Sequence, residues 1–196
     1  MGKFFRLFLP IFAIVVSGCA HIVEFNPEHY TIKCQKYNAG IVVVIDDDTL
    51  NKTVVMRSPL VGYAHTWHAK PGQWLKQIAD TELSQMFKYY EFYRDYKEPE
   101  VGNCHLTLKS TVPNFTFYRF HANISVCVTA YCENKKFLFQ KTYTKEGKSQ
   151  GAKMFWGGPF AMKSAVRFSS LDAYKQILSA IREDLKKELE GCRDTS

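Results

Sequence analysis

The feature that most constrains the fold is an alternation of apolar and polar residues that runs, with interruptions, from residue 104 to residue 143. The alternation is most regular over 124–132, and it resumes at Phe137 and Phe139 after a polar stretch. Successive side chains of a strand point to opposite faces of its sheet, so this pattern predicts half-buried antiparallel strands. A symmetric hairpin over 124–143 would place Phe137 and Phe139 opposite Cys132 and Ala130.

Two stretches with a helical period flank these strands. Apolar residues from Gln73 to Tyr90 keep a spacing near 3.6, which predicts an amphipathic helix of about six turns after Pro71. A second apolar stripe covers 171–189, where Ser169 and Ser170 offer N-cap oxygens and Gly191 a stop. We therefore predict an α+β fold, a two-layer sandwich with a mainly antiparallel sheet and two amphipathic helices packed on one face.

The first residues have the composition of a secretory signal. Lys3 and Arg6 precede an apolar run over 7–16, which is too short to span a bilayer comfortably. We expect residues 1–18 to be a signal peptide, residues 19–30 to be a tether that begins at Cys19, and residues 31–192 to form a single domain. The apolar run 41–45, which ends at three aspartates, predicts a buried strand in that domain.

The four residues Val16-Ser17-Gly18-Cys19 resemble the bacterial lipobox, which reads apolar-small-small-Cys. The resemblance implies cleavage after Gly18, transfer of diacylglycerol to the Cys19 thiol and acylation of the new amine. Ala20, rather than Asp, follows the cysteine. By the sorting behaviour of enterobacterial lipoproteins, this implies an anchor in the outer membrane, with the domain in the periplasm.

The order of elements behind that lipobox resembles a group of small Gram-negative lipoproteins. The group includes the lipopolysaccharide-assembly lipoprotein, ABC-transport auxiliary lipoproteins and a YajG-like family. The matching parts are residues 41–46, the helix after Pro71, the hairpin 124–143 and the helix from Ser170. From the anchor, the compact α+β domain and the lack of a catalytic motif, we predict a non-enzymatic envelope protein whose periplasmic domain binds or scaffolds another envelope component, such as transport or assembly machinery.

Charge and cysteine usage agree with an exported protein. The formal net charge is +7, to which Lys3 and Arg6 contribute two, and a basic surface suits anionic lipid or other anionic envelope components. Export disfavours nucleic acid as a partner. Five cysteines follow Cys19, namely Cys34, Cys104, Cys127, Cys132 and Cys192. Disulfides are permitted in the periplasm, and the strand period places Cys104 and Cys132 on one face but Cys127 and Cys132 on opposite faces.

Few residues suggest chemistry. Asp46, Asp47 and Asp48 could hold a divalent cation, although aspartates also favour strand ends and turns. His65 and His68 could share a metal on a helix, but surface histidines are the preferred interpretation. The sequence holds no nucleophile elbow, phosphate loop or zinc-protease motif, so we predict no catalytic residue, metal or cofactor.

One segment suggests a contact surface instead. Phe155, Trp156 and Phe160 lie among glycines and lysines, and aromatic residues of this kind anchor protein interfaces. The alternative is that they cover the core. Two other functions stay open: a periplasmic hydrolase or ligand-binding enzyme that uses scattered residues such as His65, His68, Asp46 and Asp48, and a surface-displayed lipoprotein that contacts a host.

Overall fold

Eight strands and three helices make up the part of the chain that the computed structural model describes, which is residues 19–27, 30–32, 34, 36–57, 65–94, 105–132 and 136–193. Within these ranges, the side chains of residues 105, 153–155, 158–159 and 191–193 are outside the description. The predicted signal segment 1–18, including Gly18, lies outside the described residues.

The elements follow one another along the chain in a mixed order. They are β1 (Cys19–Ile22), β2 (Tyr37–Val44), α1 (Asp47–Asn51), β3 (Val54–Arg57), β4 (His65–Ala69), α2 (Pro71–Met86), β5 (Phe87–Tyr93), β6 (His105–Tyr118), β7 (His121–Tyr131), β8 (Phe137–Glu146) and α3 (Gly151–Arg193). The fold is therefore α+β, as predicted.

The strands form two sheets. The larger sheet has the order β5-β2-β6-β7-β8, in which β2 runs parallel to β5 and β6, while β6–β7 and β7–β8 are antiparallel. The smaller sheet has the order β1-β4-β3, with β1 parallel and β3 antiparallel to β4. The antiparallel pairs β6–β7 and β7–β8 form the longest ladders of the larger sheet.

One face of the larger sheet carries the core. Ile41 lies beside Leu106 in the register, and Val43 beside Leu108, which in turn lies beside Ala130. These side chains belong to the same buried cluster as α2 residues such as Ile78 and Leu83 and α3 residues such as Ile177 and Leu185. Helix α2 contacts β5, β6 and β2, and α3 contacts β7 and β8. The two helices thus share one face, as the helical stripes predicted.

The predicted hairpin is confirmed with one adjustment of register. Ile124, Val126, Val128 and Ala130 are all fully buried, and Phe139 lies opposite Ala130. Phe137, however, lies opposite Tyr131 rather than Cys132, because the register shifts between Ala130 and Tyr131. A bulge of this kind places two residues of one strand against one of the other.

Helix α2 is shorter than its apolar period predicted. It ends at Met86, and the aromatic stretch that follows forms strand β5 instead of further helical turns. The Phe87 amide still donates to the Leu83 carbonyl, and the backbone of Phe87 is already extended. Aromatic side chains are favoured in strands, and pairing with β2 provides the hydrogen bonds that a helix would otherwise supply.

Helix α3 begins earlier than predicted. It starts at Gly151, and Ser169 and Ser170 are buried within it instead of capping it. The Ser169 hydroxyl accepts a hydrogen bond from the Ala122 amide at 2.9 Å, so it serves the end of strand β7. The preference of serine for N-cap positions predicted a cap, but in the folded protein the Ser169 hydroxyl hydrogen-bonds strand β7 instead.

The described part of the predicted tether, residues 19–27 and 30, is folded against the domain. Cys19–Ile22 forms strand β1, and Val23 and Phe25 are 3% and 5% exposed. The Phe25 ring stacks on Trp74 at 5.1 Å between centroids and meets Tyr174 edge-on. Aromatic burial of this extent outweighs the local signals of Pro27 and the polar neighbours, which favoured an extended linker.

Candidate functional site

The strongest candidate for a functional surface lies near the start of α3. Trp156 and Phe160 are 86% and 88% exposed, the largest exposed fractions among the large apolar side chains of the described residues. Basic residues follow on the same helix, where Lys163 is exposed and Arg167 lies half-buried with its guanidinium over the Phe168 ring. A pair of exposed large aromatics beside cations is typical of a contact surface.

Helix α3 bends at this point. The Gln150 amide donates to the Phe120 carbonyl, and the Ser169 hydroxyl accepts from the Ala122 amide. Because Phe120 and Ala122 are only two residues apart, these contacts hold residues 150 and 169 within about 20 Å of each other. A straight helix with a rise of about 1.5 Å per residue would separate the two residues by about 28 Å. The helix between them is therefore bent.

Gly157 marks the inner side of the bend. A Cβ atom on Gly157 would lie 2.5 Å from the Cβ of Ala161, while such atoms lie about 5–6 Å apart in a straight helix. Gly-rich and Pro-containing stretches are where helices kink, and Gly158 and Pro159 follow directly. We name residues 156–163 the α3 elbow.

The elbow meets the small sheet. Phe160 and Lys163 line a cleft of about 100 Å³ together with His21 of β1 and His65 and Trp67 of β4. His21 Nε2 and His65 Nδ1 are 3.0 Å apart, and the His21 ring stacks on the Trp67 ring at 5.8 Å. The cleft is smaller than the roughly 300–1,000 Å³ of a typical small-molecule site.

Cys19 lies next to this cleft. It is exposed and is the register partner of His65 in the parallel pair of β1 and β4. Adjacent strands are about 4.8 Å apart, so the predicted lipid attachment site and the elbow flank the same histidine. The periodic patterns of the sequence did not indicate that Cys19, His65 and Phe160 lie close together, because these residues are far apart along the chain.

The structure decides between the two interpretations of the aromatic segment for two of its residues. Trp156 and Phe160 are exposed, so they do not cover the core. The side chain of Phe155 lies outside the described residues. The contact-surface hypothesis stays a prediction, now with a definite position beside Cys19.

The aspartate triplet has a local structural role. Asp46 caps α1, because its Oδ1 accepts from the Thr49 amide at 2.6 Å. Asp47 lies 3.7 Å from Arg94 in an exposed ion pair. Within the described ranges, no three His, Cys, Asp or Glu side chains are grouped so that they could hold a metal ion.

His65 and His68 do not form a pair. They are three residues apart in strand β4, so they point to opposite faces of the small sheet. His65 contacts His21, while His68 Nε2 lies 3.3 Å from the Thr66 hydroxyl on the other face. The residues named for the hydrolase alternative therefore have separate surroundings.

The cysteines are only partly visible in the structure. Cys19 and Cys34 are exposed free thiols, and Cys127 is a half-buried one. Cys104 lies outside the described residues, as does the side chain of Cys192, so the predicted Cys104–Cys132 face is not described.

A buried charge network escaped the sequence analysis. Glu82 is 1% exposed, and its Oε1 accepts a hydrogen bond from the Tyr30 hydroxyl. Arg182 Nη1 lies 2.9 Å from Glu82 Oε2, but the contact lacks the angles of a hydrogen bond, so it is a charge contact. Burial raises the pKa of Glu82, and the Tyr30 hydrogen bond and the Arg182 charge oppose that rise.

This network fastens the N-terminal segment to the helices. Gln85 Oε1 accepts from the Ile32 amide at 2.9 Å, and its Nε2 donates to the Tyr30 carbonyl at 2.8 Å. The sequence signal was a glutamate within the apolar stripe of α2, four residues after Ile78 and four before Met86. We assign the network to docking of the segment rather than to chemistry.

No helix among the described residues is long and apolar enough to cross a membrane. No protein-family model matches the chain, and no curated protein matches it. Among solved structures, an uncharacterized protein is 16% identical, with a TM-score of 0.45 over 84% of this chain and 99% of that one.

Two further structures have lower TM-scores. A hypothetical protein from Chlamydia trachomatis is 7% identical, with a TM-score of 0.40 over 76% of this chain and 99% of that one. A neuraminyllactose-binding hemagglutinin homolog from Helicobacter pylori is 10% identical, with a TM-score of 0.31 over 83% and 97%.

Proposed function

We infer that this protein is a non-enzymatic, lipid-anchored component of the bacterial outer membrane whose periplasmic domain contacts another envelope component through the α3 elbow. One observation supports this most directly: the exposed Phe160 lines a cleft with His65, the register partner of Cys19, and the exposed Trp156 lies four residues before Phe160 on α3. The lipobox-like residues 16–19 supply the anchor, and the elbow supplies an apolar surface next to it.

The folding of residues 19–25 against the domain supports this proposal. Strand β1 pairs with β4, and Val23 and Phe25 are buried in the core directly after it. A lipid on Cys19 would therefore hold the domain itself, and not a flexible linker, at the membrane. The elbow would then lie, in a fixed orientation, on the side of the domain that faces the membrane.

The anchor is tested by labelling cells with a fatty-acid analogue and purifying the protein. We expect the label on the wild type and on Cys34→Ser, but not on Cys19→Ser. Cys34 is the matched control, because it is also an exposed free thiol in the described part of the chain. Label on Cys19→Ser, or none on the wild type, would contradict the proposed anchor.

The outer-membrane location is tested by density fractionation of membranes. We expect the wild type in the outer-membrane fraction and Ala20→Asp in the inner-membrane fraction. Ala20 is exposed in β1, so the change leaves the core intact. An unchanged distribution would argue against sorting by this residue.

The contact surface is tested by photocrosslinking in cells from a benzophenone side chain at position 156, with position 137 as control. Phe137 is also an exposed aromatic residue, at 56%. It lies at the start of β8, whereas α3 follows the opposite end of that strand. We expect an adduct with an envelope component from position 156 only. Equal yields from both positions, or none from either, would contradict a contact surface at the elbow.

A further inference from the structure

The envelope component that best fits the elbow is the lipid bilayer itself, and this inference rests on the proposed function. An acyl chain on Cys19 enters the membrane at the position of that residue. Each interfacial region of a bilayer is about 5–7 Å thick. Groups within one or two strand spacings of Cys19 therefore lie in or near this region if the domain cannot rotate about the Cys19 anchor.

The structure allows little rotation of the domain about the Cys19 anchor. Cys19 is held in β1 by its pairing with His65, and the Val23 amide donates to the His68 carbonyl at 2.9 Å. Val23 and Phe25 then fix the segment in the core. Because His65 lines the same cleft as Phe160 and Lys163, the elbow is held close to the anchor.

The side chains of the elbow match the chemistry of a membrane interface. Tryptophan and phenylalanine partition into the region between head groups and acyl chains, and lysine reaches toward phosphate groups. Trp156 and Phe160 are almost fully exposed, and Lys163 is exposed three residues after Phe160. The formal net charge of +7 falls by two, to +5, when Lys3 and Arg6 leave with the predicted signal peptide, and this basic balance favours an anionic lipid surface.

We propose that the α3 elbow is a membrane-docking surface, in which Trp156 and Phe160 enter the bilayer interface beside the Cys19 lipid and Lys163 contacts anionic head groups. Docking then fixes which side of the domain faces away from the membrane. A protein that covers the elbow is the competing occupant, and the experiment below distinguishes it.

Tryptophan fluorescence reports directly on the elbow. Trp67 and Trp74 are 1% and 3% exposed, so only Trp156 is open to quenchers among the three tryptophans. The full lipidated protein is reconstituted in vesicles of phosphatidylethanolamine and phosphatidylglycerol that contain brominated phosphatidylcholine. We expect brominated lipid to quench Trp156 and iodide in the water to leave it largely unquenched.

A matched control moves the exposed indole. The double variant Trp156→Phe, Phe137→Trp places a tryptophan at the start of β8. This position is about 30 Å, the length of the strand, from the end of β8 that precedes α3. We expect iodide, and not brominated lipid, to quench this variant. In the wild-type background, Lys163→Glu should reduce quenching by brominated lipid when phosphatidylglycerol is present.

The outcomes separate the two proposals. If intact mass shows an acylated Cys19 but Trp156 is quenched by iodide and not by brominated lipid, membrane docking is overturned while the lipid anchor stands. Protection of Trp156 from iodide in native membranes but not in vesicles identifies a protein occupant and also overturns it. An unmodified Cys19 overturns the proposed function and the docking that rests on it.

Discussion

The docking of the N-terminal segment predicts that Phe25→Ala severely destabilises the domain. The Phe25 ring is 5% exposed, stacks on Trp74 and meets Tyr174 edge-on at 6.1 Å. Removing a buried phenylalanine costs about 3–5 kcal/mol, because apolar burial is lost and a cavity remains. If residue 25 belonged to a free tether, the same change would cost nearly nothing.

The assay is urea unfolding of the protein in mild detergent, followed by tryptophan fluorescence, to which the buried Trp67 and Trp74 contribute. With a denaturant slope of about 2 kcal/mol per molar urea, the midpoint should fall by about 1.5–2.5 M. Ile22→Ala is the matched control in the same segment, since Ile22 is 69% exposed. Surface changes of this kind usually shift stability by no more than about 0.5 kcal/mol.

A midpoint for Phe25→Ala equal to that of Ile22→Ala would refute the reasoning. It would mean that the segment before β2 is detached from the core in solution. The fixed position of Cys19 beside the elbow would then be lost, and with it the main physical argument for membrane docking.

Three further changes test other parts of the fold. Gly72→Ala should destabilise the protein by about 1–3 kcal/mol, because its Cβ would lie 2.1 Å from the Thr49 carbonyl oxygen. Asp184→Asn should cost about 0.5–1 kcal/mol at neutral pH, because it removes the charge from a solvent-exposed ion pair in which the carboxylate accepts a hydrogen bond from Lys141 at 2.7 Å. Arg119→Asn should raise the melting temperature by about 2–4 °C, because residue 119 has a φ of 47° that asparagine tolerates better.

Two of these changes have a matched control variant. Gly151→Ala should be tolerated, since its Cβ would meet the Phe120 ring at 3.4 Å and Ser149 Oγ at 3.6 Å, which are ordinary van der Waals distances. Equal loss at both glycines would contradict the clash at Gly72. Arg167→Asn replaces a helical arginine, and a melting temperature raised as much as by Arg119→Asn would show that turn strain is not the cause.

The Asp184 prediction also has a pH dependence. The hydrogen bond from Lys141 lowers the pKa of Asp184 below its usual 3.8, so the stabilisation is present above that value and is lost as pH falls through the folded pKa. The difference between wild type and Asp184→Asn, measured by urea unfolding, should shrink in this acidic range. A difference that stays constant from neutral pH to below the folded pKa would contradict the assignment.

Local patterns predicted those parts of the fold whose burial follows a single period. The alternation over 124–130 identified the inward face of β7, and the apolar spacing after Pro71 identified α2. The run 41–45 corresponds to β2 and the buried Ile45 that follows it. In each case the sequence carries the signal, because one strand or helix presents one continuous face to the core.

The candidate site was predicted less completely. The sequence singled out Trp156 and Phe160 as aromatic residues among glycines, but left open whether they cover the core. It predicted Cys19 as a lipid attachment site from the residues before it. It held no sign that these residues lie together, since the pairing of β1 with β4 and the bend in α3 are long-range features.

What the sequence determines by itself is the class of fold, the hairpin of β7 and β8 and the presence of both long helices, since these follow from local periodicity. Only the tertiary structure decides where α2 gives way to β5, because pairing with β2 competes with helical hydrogen bonds there. It also decides that Phe25 belongs to the core and that Ser169 serves strand β7. Those outcomes depend on partners far away in the chain, and so does the position of the elbow beside Cys19.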